Sequence, residues 1–198
     1  PSAPNVRIIR ISCGSWSFIP KEQIYDVLPE FSENMVRFIN NECIQYDLFH
    51  GHYVDGGIAA LEVSRALRRP TIFTPHSLGA WKREEMHGDP KEMERIFRFS
   101  HRISEELRLV KAVEGLLLTT DVQKAKLDEL YGWSGGDIAV IPPGVDVDTF
   151  QPSISGKSDM PRGLQPRYIL SLSRIDSNKG HDLLLNAFDI CLLYTSDA

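Results

Sequence analysis

The sequence predicts an α/β protein built on a parallel sheet, and three observations predict it. Short apolar runs alternate with amphipathic stretches at intervals of 20–40 residues, the pattern of βαβ units in a doubly wound domain. The run GLLLTT is unbroken in its apolar character, which predicts burial on both faces. Polar residues collect just beyond the ends of such runs, where open parallel sheets bind ligands.

Taken in order, Val6 to Ile11 alternates apolar and charged residues, as a half-buried strand does. Cys13 to Phe18 is a polar loop. An amphipathic helix follows from Lys21 to Asn40, with a break expected at Pro29, because Ile24, Val27, Leu28, Phe31, Met35, Phe38 and Ile39 recur at helical spacing. DLFHGH, opened by Asp47, is the next strand. An Asp55-Gly56-Gly57 turn leads into the helix IAALEVSRAL, which Arg69-Pro70 stops. TIFTP is a buried strand. The charged stretch after it merges into one helix ending near Ala112. Beyond GLLLTT, Thr120 or Asp121 caps the helix VQKAKLDELYG and Gly132 ends it, before the strand DIAVIPP.

Residues 153–166 are rich in Ser, Gly, Pro and charge and read as a connector. It separates a lobe at 1–152 from the start of a second, at 167–190, where RYILSLSR is a strand and HDLLLNAF a helix. In the last eight residues, 191–198, the helical pattern lapses. That tail is expected to be foreign to the fold, of the kind that translated sequencing adapters leave. Both ends are expected to be cuts in a longer protein.

Of the 198 residues, 42% are hydrophobic and 25% charged, ordinary for a globular chain. A net charge of −5 argues against a general nucleic-acid binder, and no apolar run reaches the length of a membrane span. Three scattered cysteines, Cys13, Cys43 and Cys191, make neither a disulfide framework nor a zinc pattern, and a cytoplasmic location is expected.

The strand-end rule selects His50, His52 and Asp55, then His76, Ser77 and Gly79, then the Pro142-Pro143-Gly144 turn, then Arg174 and Lys179. His50 and His52 share a strand face at a spacing that can ligate a metal, but no third ligand has an obvious place. The plainer expectation is that one satisfies a buried backbone group and the other lines the cleft. Lys82, Arg83, Arg95, Arg98 and Arg102 are interleaved with Glu84, Glu85, Glu92 and Glu94, so a solvated, salt-bridged helix face is the default for most of them. Lys82 sits close enough to a strand end to reach the crevice, and Arg102 approaches from the following helix. Two or three such cations suffice for one phosphate. Arg174 and Lys179 suit the diphosphate of a leaving group, where negative charge grows as the bond breaks. No GxGxxG or Walker-type loop occurs, which disfavours kinases and simple dehydrogenases.

IPPGVDVDTFQP, followed after the connector by SLSRIDSNKGHDLLLNAF, resembles the retaining GT-B glycosyltransferases of family GT4. FIPKEQIYDVLPEFSENMVRFI, HGHYVDGG, TPHSLGAWK and HRISEEL resemble the sucrose-phosphate synthase and mannosylfructose-phosphate synthase group within it. The resemblance spans Val6 to Phe188. It implies an α/β fold of GT-B type: a Rossmann-like N-terminal acceptor lobe, incomplete at its start, and the first β-α unit of a second Rossmann-like lobe for the nucleotide sugar.

It also implies a hexosyltransferase moving sugar from a donor such as UDP-glucose or GDP-mannose to fructose 6-phosphate. No cofactor, catalytic metal, nucleic acid or membrane is implied. Arg174 and Lys179 would hold the donor diphosphate, and His76 would stand beside the transferred sugar. Ser77, Lys82 and Arg102 would hold the acceptor phosphate. Relatives place a further basic residue just before Arg102, where this chain has Ser100-His101. A Gly-rich loop expected ahead of Pro1 and a glutamate pair expected after the last residue lie outside the chain, so the fragment alone is expected to be inactive. The alternatives are another acceptor, a nucleotide-sugar epimerase, or a sugar-phosphate-binding regulator that has lost its donor site.

Overall fold

The structure, a computed structural model, describes residues 5–133, 136–151, 168–176 and 179–195. The chain divides into two compact units, residues 1–145 and 146–198.

The first unit is built on a four-stranded parallel sheet in the order β1-β2-β3-β4. The strands are β1 (Phe49–His52), β2 (Thr71–Thr74), β3 (Gly115–Leu118) and β4 (Asp137–Val140). Each crossover advances the same way along the sheet, and right-handed connections therefore put the intervening helices on one face. That face carries Gly51, Phe73, Leu116 and Ile138 in register. The opposite face carries His50, Ile72, Gly115 and Asp137 in register. Exposure alternates along β3 accordingly: Leu116 and Leu118 are buried, while Gly115 and Leu117 are only half-buried. GLLLTT is thus covered on one side among the described residues, not on both.

The helices are α1 (Leu28–Asn41), α2 (Tyr53–Leu67), α3 (Gly79–Glu85), α4 (Pro90–Phe97), α5 (Phe99–Ala112) and α6 (Asp121–Tyr131). Phe73, Leu109, Leu118 and Leu127 are fully buried where α2, α5 and α6 meet the sheet. A short 3₁₀ helix, Lys21–Asp26, precedes α1. The break between them falls at Val27, and Pro29 lies inside the first turn of α1, where its missing N–H costs nothing.

Three further expectations are corrected. Asp55-Gly56-Gly57 is not a turn before a helix but part of the first turn of α2. Its glycine serves packing: a Cβ on Gly57 would lie 2.7 Å from both the Phe73 ring and Leu109. The charged stretch after His76, expected to merge into one helix ending near Ala112, holds two helices of its own, α3 and α4, ahead of α5. Asp89 caps α4 by accepting from Glu92 N at 2.9 Å, and Arg98 in left-handed conformation (φ 49°) separates α4 from α5. Val6–Ile11 forms no strand. Val6 and Ile8 are 56% and 65% exposed, and alternation makes a strand only where a neighbour pairs with it. The caps expected for α6 are present, Thr120 accepting from Gln123 N at 3.1 Å and Gly132 at φ 56°.

In the second unit, residues 168–176 have no strand assignment, although RYILSLSR is strand-like. Tyr168, Ile169, Leu170 and Leu172 are exposed, and the described sheet, β1 to β4, does not include this segment. Helix α7 spans His181–Thr195 and so continues through 191–195, where the helical pattern was expected to lapse. Those residues contain neither Gly nor Pro to stop it. The connector at 153–166 lies outside the described residues.

Candidate functional site

The site of the first unit gathers at the C-terminal ends of β1 and β2. Side chains two residues apart share a strand face, so His50 and His52 of β1 project together and their ring centroids are 4.0 Å apart. Thr74 is in register with His52 on β2, and His76 follows it two residues later. His50 Nε2 is 2.8 Å from Thr74 Oγ1, so it bonds a side chain and not the backbone group expected of it. His52 Nδ1 is 2.8 Å from His76 Nε2. Among the described residues no group of three or more His, Cys, Asp or Glu is arranged to hold a metal ion. Partial burial pushes His50 and His76 below the ordinary histidine range, with the neighbouring His52 adding to both shifts.

The backbone at this corner is bent sharply. His76 has φ 56°, and Ser77 N donates to Pro75 O at 2.6 Å, closing a three-residue turn of the rarer, strained hand. Tyr53, the residue after β1, is also left-handed at φ 62°. Arg102 ties the two corners together. Its guanidinium carbon lies 4.7 Å above the Tyr53 ring, and Nη2 donates to Ser77 O at 2.9 Å and to Ser77 Oγ at 3.2 Å.

Arg102 is only 5% exposed and Glu106 1%. Four residues apart on α5, they pair through Nε and Oε1 at 2.7 Å. Burial works against the Arg102 charge, but the charge and hydrogen bond of Glu106 outweigh it and hold the group above its ordinary value. Glu106 also accepts from Gly79 N at 2.8 Å and from the Tyr131 hydroxyl, and Ala80 N donates to Tyr131 Oη at 3.0 Å. Burial and the adjacent Glu106 push the Tyr131 phenol upward. Gly79 is closely packed: a Cβ there would sit 3.0 Å from Arg102 and Glu106 atoms, so those side chains would have to shift to admit it.

A recess of about 20 Å³ opens beside Arg102, lined also by Lys21, Tyr25, Tyr53 and Lys82. Lys82 reaches it from α3, its Nζ 5.4 Å from the Phe97 ring. Lys21 comes from the 3₁₀ helix, which Arg98 anchors by donating to Glu22 O at 3.0 Å. Burial raises the Tyr25 phenol to about 12, so it is a neutral donor here. Nη1 of Arg102 has no hydrogen-bond partner among the described residues. Glu22, paired with Lys21 at 3.6 Å, and the Phe97 and Phe99 rings complete the lining, so the recess presents chiefly Lys82 and Arg102 to a single anionic group.

Ser77, Lys82 and Arg102 are thus brought together as the sequence suggested, with His76 at the adjoining corner. His101 turns elsewhere, edge-on to Tyr25 at 4.5 Å, and Ser100 is held by Glu94 at 3.1 Å. A larger groove of about 690 Å³ lies between α1, α2 and α5, but Arg108 on its rim is paired with Glu62 and Glu105. The polar convergence is at the strand ends instead.

In the second unit, Arg174 and Lys179 are both exposed on the loop ahead of α7. His181 orders that loop, with Nε2 2.9 Å from Ser173 Oγ and 3.0 Å from Arg174 O. Lys179 N closes a turn onto Asp176 O at 2.9 Å.

The description of Glycosyltransferase Family 4 matches residues 4–149. The chain belongs to that family. It is 39% identical over 192 residues to a mannosylfructose-phosphate synthase of Agrobacterium fabrum, a match covering 93% of this chain and 42% of the relative. It is 33% identical to a probable sucrose-phosphate synthase of Thermosipho melanesiensis, covering 96% of this chain and 45% of the relative. Among solved structures, a sucrose-phosphate synthase of Thermosynechococcus elongatus superposes with a TM-score of 0.62 at 24% identity, over 73% of this chain and 34% of that one. That likeness supports the GT-B fold. The chain spans less than half the length of these curated relatives. No helix among the described residues is long and apolar enough to cross a membrane.

Lys21, Tyr53, Glu106 and Tyr131 are the residues that sequence reasoning missed. Arg102 and Glu106 stand at the i,i+4 spacing of a helix pair. HRISEEL, a segment in which the resemblance to the family was seen, contains both, but spacing alone did not show that Glu106 is buried with Arg102 rather than solvated like the neighbouring pairs.

Proposed function

We propose that the chain is the acceptor side, with the beginning of the donor side, of a retaining hexosyltransferase that moves a sugar from a nucleotide sugar to fructose 6-phosphate. The observation that carries this reading is the recess where Lys82 and Arg102 converge next to His76. It suits the phosphate of an acceptor sugar whose hydroxyl lies toward the strand ends. Ser77 accepts from Arg102 and keeps its own proton to donate to that phosphate. Arg174 and Lys179 would take the donor diphosphate and stabilise the leaving group. UDP-glucose and GDP-mannose are the donors to test. The reaction as proposed uses no resident metal, and a cytoplasmic setting suits both substrates.

The relatives' names support a phosphorylated acceptor. Besides the two synthases, a D-inositol 3-phosphate glycosyltransferase of Nocardiopsis dassonvillei is 30% identical over 191 residues. A phosphorylated cyclitol is therefore the second acceptor to try.

The test is sugar transfer by the protein carrying this chain, offered fructose 6-phosphate or inositol 3-phosphate with each donor. Product with fructose 6-phosphate supports the reading. Consumption of donor only with another acceptor overturns it. Lys82→Ala should chiefly raise the acceptor KM, whereas Arg174→Ala and Lys179→Ala should lower kcat.

A further inference from the structure

We infer that His52 is a positioning residue for His76: through the His52 Nδ1–His76 Nε2 bond it holds the His76 ring as the Nε2–H tautomer, with Nδ1 left as a hydrogen-bond acceptor for a sugar hydroxyl. The inference rests on the reading above, in which His76 stands beside the transferred sugar.

The two nitrogens are 2.8 Å apart, so a single proton lies between them and one ring donates while the other accepts. Either ring satisfies the distance, but the two choices differ in chemistry. If His52 donated, both neutral rings would be in the Nδ1–H form, which an isolated imidazole disfavours. If His76 donates, both are in the preferred Nε2–H form. The distance allows both, the intrinsic preference of the ring favours the second, and the second leaves His76 Nδ1 with a lone pair. No described residue bonds that nitrogen.

Without His52 little would fix the His76 ring. His76 occupies a strained three-residue turn at φ 56°, exposed to solvent. Arg102 and Glu106 hold the backbone on its C-terminal side, at Ser77 O and Gly79 N. The ring itself is held by His52, which projects from a strand and is backed by His50 at 4.0 Å. His50 is pinned in turn by Thr74. Partial burial and the adjacent His52 both disfavour the His76 imidazolium, which keeps the acceptor nitrogen unprotonated near neutral pH.

Long-range ¹H–¹⁵N spectra of the uniformly labelled 198-residue chain near neutral pH test the assignment, with His76→Gln identifying the His76 ring. His76 should show a pyrrole-type Nε2 and a pyridine-type Nδ1, well separated. In His52→Ala the two resonances should move toward each other as the tautomers exchange. In His52→Asn the side-chain oxygen can take the place of Nδ1, and the separation should return. The His101 signals, which report packing against Tyr25, show that each variant is folded. A wild-type His76 in the Nδ1–H form, or one unchanged in His52→Ala, overturns the inference. The wild-type spectrum decides the tautomer even if a variant fails to fold. None of these spectra requires sugar transfer, so their failure and failure of the transferase reading are separately visible.

Discussion

Two Arg–Glu pairs on consecutive helices have nearly the same sequence appearance and opposite structural fates. On α4, Glu92 and Arg95 pair at 2.6 Å with side chains 53% and 71% exposed. On α5, Arg102 and Glu106 pair at 2.7 Å with side chains 6% and 1% exposed. The first is a solvated helix-surface contact. The second is the hub that binds Ser77, Gly79 and Tyr131 and so holds the corner on which His76 sits. An ion pair in water gains little because each partner was already well solvated. A buried pair has given up that solvation, so removing either partner strands the other.

Glu106→Ala should therefore produce the largest effect, a loss of about 3–5 kcal/mol read from denaturant unfolding. It leaves Arg102 charged, buried and unpaired. The double variant Arg102→Met/Glu106→Leu should recover part of that loss, and an equal or greater loss would break the argument.

Gly57→Ala should cost less, about 1–3 kcal/mol by overpacking, because the added methyl meets Phe73 and Leu109. Tyr131→Phe removes one donor to Glu106 and the acceptor of Ala80 N, a loss of about 1–3 kcal/mol. A thermal midpoint unchanged in Tyr131→Phe would mean that the hub does not extend to α6. Arg95→Ala, at the exposed pair, should leave the unfolding midpoint where it is.

The histidine corner adds a pH test. His50 and His76 have folded values below the ordinary 6.5, so the unfolded chain takes up protons first as pH falls. Stability should be unaffected well above 6.5 and decline as pH drops from there toward the lowered values. His76→Asn should flatten that decline, and an unchanged slope would remove His76 as its source.

The two units differ in a further way. Lys82 and Arg102 are cations of a built recess, packed against Phe97 and Tyr53. Arg174 and Lys179 are exposed on a loop whose backbone is ordered by His181. In the first unit the surroundings already aim the charges. In the second, His181 and the loop's own turn order the backbone, and both cations stay exposed.

The parallel βαβ alternation, the caps and the polar strand ends were legible in the sequence because they depend on local chemistry. The strand order β1-β2-β3-β4, with its helices on one face and not wound on both as expected, was not. Thr120 accepts from its own helix, Gly132 takes the left-handed conformation, and His50 and His52 share a face because strand geometry has period two. The Val6–Ile11 and RYILSLSR strands were misread for the complementary reason: a strand is completed by a neighbour, and alternation says nothing of whether one pairs with it. The family motifs singled out His76, Ser77, Lys82 and Arg102, and folding does gather these four. What each side chain bonds there was hidden, because Lys21 arrives from a helix 61 positions before Lys82 and Glu106 looks like any surface partner of an arginine.

By itself, then, the amino-acid order determined an α/β chain of this family with cations and histidines at its strand ends, since periodicity, caps and motifs are properties of neighbours along the chain. Only the tertiary structure decided that Arg102 is buried rather than solvated, that Asp55-Gly56-Gly57 serves helix packing rather than a turn, and that His52 meets His76. Each of those depends on which distant element supplies the surrounding atoms, and burial changes what the same charge or ring nitrogen is worth.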